Sequence, residues 1–125
     1  MSNIMAVLLD GIAQLEYNRD LSLPDHQALY LDKMDEKMDT GIMLGDDMAV
    51  SPDLNQRAQF VAGNLAHAIK VGDEPTAAAL CSYLADRLPD LKQILINDEQ
   101  GNLSIEMVFD KDYKKQVEVQ FTKLH

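Results

Sequence analysis

Gln93-Ile94-Leu95-Ile96-Asn97-Asp98-Glu99-Gln100-Gly101-Asn102-Leu103-Ser104-Ile105-Glu106-Met107-Val108-Phe109 is where the hydrophobic period of this chain drops from 3.6 residues to 2. Residues 93 to 97 are rich in β-formers, and Asp98 to Asn102 reads as a turn. Beyond it Leu103, Ile105, Met107 and Phe109 alternate with Ser104, Glu106, Val108 and Asp110. After Lys111-Asp112-Tyr113-Lys114 a third run sets Val117, Val119 and Phe121 against Gln116, Glu118, Gln120 and Thr122. Alternation of this kind predicts a sheet with one face packed and the other wet. Ile105, Met107, Phe109, Val117, Val119 and Phe121 are the expected packed face.

Everything upstream reads as helical. Ile4, Val7, Leu8, Gly11, Ile12 and Leu15 fit one helix face, with Ser2 or Asn3 as cap and Asn18-Arg19-Asp20 as the break. A second helix starts near Ser22-Leu23-Pro24-Asp25, with a stripe of Leu23, Gln27, Tyr30, Leu31, Met34, Met38 and Ile42. Gly41 or Gly45 ends it, and residues 45 to 50 read as a loop. In the third helix Ser51 caps, Pro52 sits at the first helical position and Asp53 meets the positive end of the dipole. Leu54, Ala58, Val61, Ala62, Leu65, Ala68 and Ile69 form its main face, and Gly72 closes it. Asp73 caps a fourth helix with Pro75 in its first turn; Ala77, Leu80, Cys81, Leu84 and Leu88 share a side, and Pro89 ends it. The expected fold class is α+β: four N-terminal helices followed by a three-stranded antiparallel β-meander, one domain over residues 1–125.

Charge narrows the partners. Eleven Lys and Arg stand against 21 Asp and Glu, a net charge of −10. Phosphate neutralisation drives nucleic-acid affinity, and the only adjacent basic pair is Lys114-Lys115. No nucleic-acid partner and no membrane partner are expected. The single cysteine, Cys81, permits no internal disulfide. The N-terminal apolar run lacks a basic flank and stops at Asp10, unlike a secretory signal. A cytoplasmic location is expected.

Candidate sites are few. Asp32, Asp35, Glu36 and Asp39 fall within an arc of about 100° on the second helix, and oxygen-rich clusters suit hard divalent cations. The bland alternative is a solvated helix face. Neither a Glu-x-x-His pair nor an EF-hand spacing accompanies them. Phe60, Asn64 and His67 form a second, partly polar stripe on the third helix, a ligand-facing candidate, although such a stripe is more often a second packing face with a satisfied histidine. Cys81 sits among Ala77, Leu80, Leu84 and Ala85, where burial blunts a thiol. Met43 and Met48 flank the loop as candidates for an exposed apolar contact. Phosphate-cradling glycine signatures and Gly-x-Ser-x-Gly are absent.

These features point to a cytosolic protein-interaction or regulatory module with an unidentified protein partner, a second copy of the chain being one candidate because a meander leaves open edges. The alternative is a small-ligand or divalent-metal domain using the acidic stripe or the His67 face. No cofactor and no catalysis are expected.

Overall fold

Asp10 and Gly11 take left-handed φ values of 51° and 85°, and the two-residue reversal they make folds the N-terminus into an antiparallel hairpin. The computed structural model describes residues 3–21 and 24–113. Its elements run β1 (Ile4–Leu9), β2 (Ile12–Asn18), α1 (Asp25–Met38), β3 (Ile42–Leu44), β4 (Asp47–Ala49), α2 (Leu54–Val71), α3 (Glu74–Arg87), β5 (Gln93–Glu99) and β6 (Asn102–Val108). The chain is α+β, but the expected four helices followed by a three-stranded meander do not form. Among the described residues there are three helices and six strands. Four of those strands make a mixed sheet in the order β2-β1-β5-β6.

The first correction is the N-terminal segment, expected as a helix and folded as β1 and β2. Its apolar residues satisfy helical spacing, yet β1 is buried on both faces. Met5 and Val7 join the main core, while Ala6 and Leu8 pack with Tyr113 on the opposite face. A strand covered on both sides loses its alternation, so periodicity cannot separate it from a helix. The Asp-Gly pair between two apolar runs was the local signal for a hairpin.

The second correction is the sheet itself. β5 pairs antiparallel with β6 as expected, through a reversal at Gln100 and Gly101 with φ of 57° and 89°. Its other neighbour is β1, parallel, with Val7 opposite Ile94 and Leu9 opposite Ile96. Leu103, Ile105 and Met107 do pack against the main core, whereas Phe109 lies past the strand, 45% exposed. The expected third strand with Val117, Val119 and Phe121 lies outside the described residues. The third correction is the stretch from residue 45 to 50, which is a turn and a strand rather than a loop: β3 and β4 pair as a short ribbon around Gly45.

Three of the four expected helices form, and α1 ends at Met38, so that Ile42, expected on its apolar stripe, lies in β3. Asp53 rather than Ser51 is the cap of α2, in a reciprocal box in which Gln56 N donates to Asp53 Oδ1 at 2.8 Å and Asp53 N to Gln56 Oε1 at 2.9 Å. Gly72 ends that helix at φ 77°. Asp73 caps α3, and at its other end the Arg19 guanidinium donates to the carbonyls of Ala85 and Leu88, the latter at 3.0 Å. That cation meets the negative end of the helix dipole. Ala58, Val61, Ala62 and Leu65 of α2 and Ala77, Cys81 and Leu84 of α3 lie in one cluster with Met5, Val7, Ile94 and Ile96 of the sheet. Burying a Leu such as Leu65 contributes about 1.5–3 kcal/mol. No described helix is long and apolar enough to cross a membrane.

Candidate functional site

Of the acidic stripe of α1, Asp32, Glu36 and Asp39 are exposed and only Asp35 is partly buried. Asp35 is its centre. The Tyr83 hydroxyl of α3 donates to Asp35 Oδ1 at 2.5 Å, Arg57 of α2 donates to the same oxygen at 3.1 Å, and Arg87 Nε of α3 donates to Oδ2 at 3.0 Å. The flanking carboxylates complete the arrangement, with Asp39 paired to Arg57 and Asp32 to Arg87. Arg87 also stacks over the Tyr83 ring, 5.4 Å from its centroid. Glu36, on the same arc, stays exposed.

Burial alone would push the Asp35 carboxyl up; the hydrogen bonds from Tyr83, Arg57 and Arg87 outweigh it and hold the group below the usual carboxylate range. Burial, then the bond to Asp35, drives the Tyr83 phenol well above its ordinary value. Chemically this is a clasp binding α1 to α2 and α3. A cation would have to displace two guanidinium groups to reach these oxygens. Among the described residues no group of three or more His, Cys, Asp or Glu is arranged to hold a metal ion. Sequence reading found the carboxylates but missed Arg57, Tyr83 and Arg87. The available hint was scarcity: the chain has three arginines, and two sit on helices beside apolar faces.

The ligand-facing candidates of α2 are not brought together around a cavity. Phe60 is half-buried against the core, Asn64 is exposed and donates to the Phe60 carbonyl at 3.1 Å, and His67 is exposed. Cys81 is buried, and burial pushes its thiol up to about 12 against a minor opposing pull from Arg19. That thiol is no nucleophile at neutral pH.

A cleft of about 460 Å³ lies between β2 and the α2–α3 junction. Its charged lining is Asp73 and Glu74, and the Asp73 carboxylate already caps α3 by accepting from Thr76 N. A shallower hollow of about 540 Å³ at the start of α1 is lined by His26, Tyr30 and Pro75. Neither brings an acid, a base and a nucleophile within reach of one another.

The β3–β4 ribbon differs from these. Ile42 is buried in the core, with Leu44 and Ala49 packed beside it. The middle pair, Met43 opposite Met48, therefore points the other way. These side chains are 47% and 58% exposed, and Val50 and Leu54 just beyond are 71% and 47% exposed. Gly41 turns at φ 114°, and a Cβ there would stand 3.2 Å from Met48 Sδ, so the thioether lies close over the glycine. No family model, curated protein or solved structure matches the chain, and the case for its function rests on this geometry.

Proposed function

We propose that the chain is a cytosolic protein-interaction or regulatory module whose contact face is the outward side of the β3–β4 ribbon. The observation that carries this reading is the exposed Met43–Met48 cross-strand pair. Exposed apolar side chains gathered on one small element, rather than scattered singly, are the usual mark of a contact surface. Methionine suits the role because its flexible, polarisable side chain adapts to a partner. The ribbon is anchored through Ile42 to the core that α2 builds, so the pair is held on a rigid support.

Self-pairing through the sheet finds less support. The outer strands are β2 and β6; the pairing of β2 with β1 shifts register where Val7 and Leu8 of β1 face Leu15 and Ala13 of β2, with Gln14 bulged between them, and Glu106 stands exposed on β6. Bulges and charges are how edges avoid pairing. A small-ligand or divalent-metal domain is the weaker reading, since Arg57 and Arg87 already neutralise the carboxylates it requires. The test is a photoreactive amino acid placed at Met43, with exposed Asn55 of α2 as the control position, irradiated in extract. A discrete adduct at Met43 that is absent at Asn55 supports the reading. Equal labelling at both, or none, removes it.

A further inference from the structure

Between residues 40 and 56 the chain carries three carboxylates, Asp46, Asp47 and Asp53, and no lysine or arginine. All three are exposed, and none takes part in an ion pair with a described residue. Arg57, next along the chain, is turned onto Asp35 and Asp39. Two of the carboxylates stand at the turn of the ribbon, and the third caps the helix that follows it. Along the chain, Asp46 and Asp47 thus adjoin the exposed Met43–Met48 pair and Asp53 opens the helix that follows, and none of the three is ion-paired with a described residue.

We infer that the occupant of this surface is a protein segment presenting an apolar side chain between lysines or arginines, and not a second copy of this chain. The inference deepens the interaction reading and rests on it. The apolar pair supplies the contact, and the carboxylates select the charge around it. A two-fold dimer through the ribbon would set each ribbon against its own image, bringing Asp46 and Asp47 of both copies near one another in chains that each carry −10. Residues 40 to 56 hold no cation to relieve that repulsion. A basic partner turns the same charges into attraction, and its association weakens as salt screens them.

The probe is a fluorescein-labelled peptide of alternating lysine and leucine, followed by anisotropy at low and high salt, with a glutamate–leucine peptide beside it. The wild-type chain binds the basic peptide and not the acidic one. The double variant Met43→Ser/Met48→Ser, folded by circular dichroism, binds about tenfold more weakly, as loss of an interface anchor does. Asp46→Asn/Asp47→Asn/Asp53→Asn, in which asparagine still caps α2, loses more affinity than Asp25→Asn/Glu36→Gln/Glu99→Gln, which removes equal charge elsewhere. Equal losses in the two triple variants, or no effect of the methionine pair, would mean general attraction to an acidic surface and overturn the inference. So would a wild-type dimer in sedimentation that the methionine variant dissociates. If the photoreactive group at Met43 labels an acidic protein, the interaction reading stands and this inference fails; no adduct at all removes both.

Discussion

The Tyr83 hydroxyl meets Asp35 Oδ1 at 2.5 Å, joining the C-terminal half of α3 to the C-terminal half of α1. Tyr83 is fully buried, and the same carboxylate receives Arg57 and Arg87. Removing the hydroxyl leaves the ring and both guanidinium groups in place, so Tyr83→Phe isolates one hydrogen bond to a charged group. A loss of about 1.5–3 kcal/mol is expected in urea unfolding, with an unchanged slope. A loss below ~0.5 kcal/mol would mean that the arginines alone hold α1.

Acid should loosen the same clasp. The folded Asp35 carboxyl is held below its unfolded value by the hydrogen bonds that outweigh its burial, so its contribution is present above the unfolded value, about 3.9. It is lost as pH falls through the lower, folded value. The stability difference between the wild type and Asp35→Asn should stay constant from neutral pH to about 5 and shrink below about 4. A difference that is flat down to pH ~2 would show that the carboxylate's charge contributes nothing.

Alkali acts through Cys81. With its folded value raised to about 12 by burial, the native state favours the neutral thiol. The associated stability is complete below the unfolded value, about 8.5, and declines as pH rises above it. In native buffer at neutral pH a thiol reagent should label Cys81 slowly, and labelling should accelerate sharply across the urea transition. Fast stoichiometric labelling without urea would contradict its burial.

Two glycines should respond oppositely to alanine. Gly11 holds φ 85° in the first hairpin with nothing within 4 Å of a Cβ, so Gly11→Ala carries a purely conformational cost of about 1–2 kcal/mol. Gly63 lies within α2, also with open space around a Cβ, and Gly63→Ala should stabilise by about 0.5–1 kcal/mol. Urea midpoints of the two variants check both signs. A stabilised Gly11→Ala would mean that the turn is not left-handed.

The helix limits at Gly72 and Asp73 were legible because caps and reversals are made by neighbours in sequence, whereas the start of α2 falls two residues later than Ser51, at Asp53. The hairpin joining the runs that begin at Gln93 and Leu103 was legible for the same reason, although Asp98, Glu99 and Asn102, read as turn, extend its strands; so were the burial of Cys81 and the exposure of Met43 and Met48. The candidate site was half legible. Helical spacing set Asp32, Asp35 and Asp39 on one arc, but it could not name Arg57, Tyr83 and Arg87, which arrive from two other helices.

What the sequence by itself determined is thus the set of local conformations wherever one face of an element is apolar and the other is not. β1 lay beyond that limit. It is a strand because Ile94 and Ile96 lie on its neighbour, the α2–α3 layer covers Met5 and Val7, and Tyr113 covers Ala6. Each of those contacts comes from far along the chain. Only the tertiary structure decided that β1 is a central strand and that the acidic stripe is a clasp. In both cases the deciding energy is burial or pairing against distant residues, which leaves no periodic trace in the segment itself.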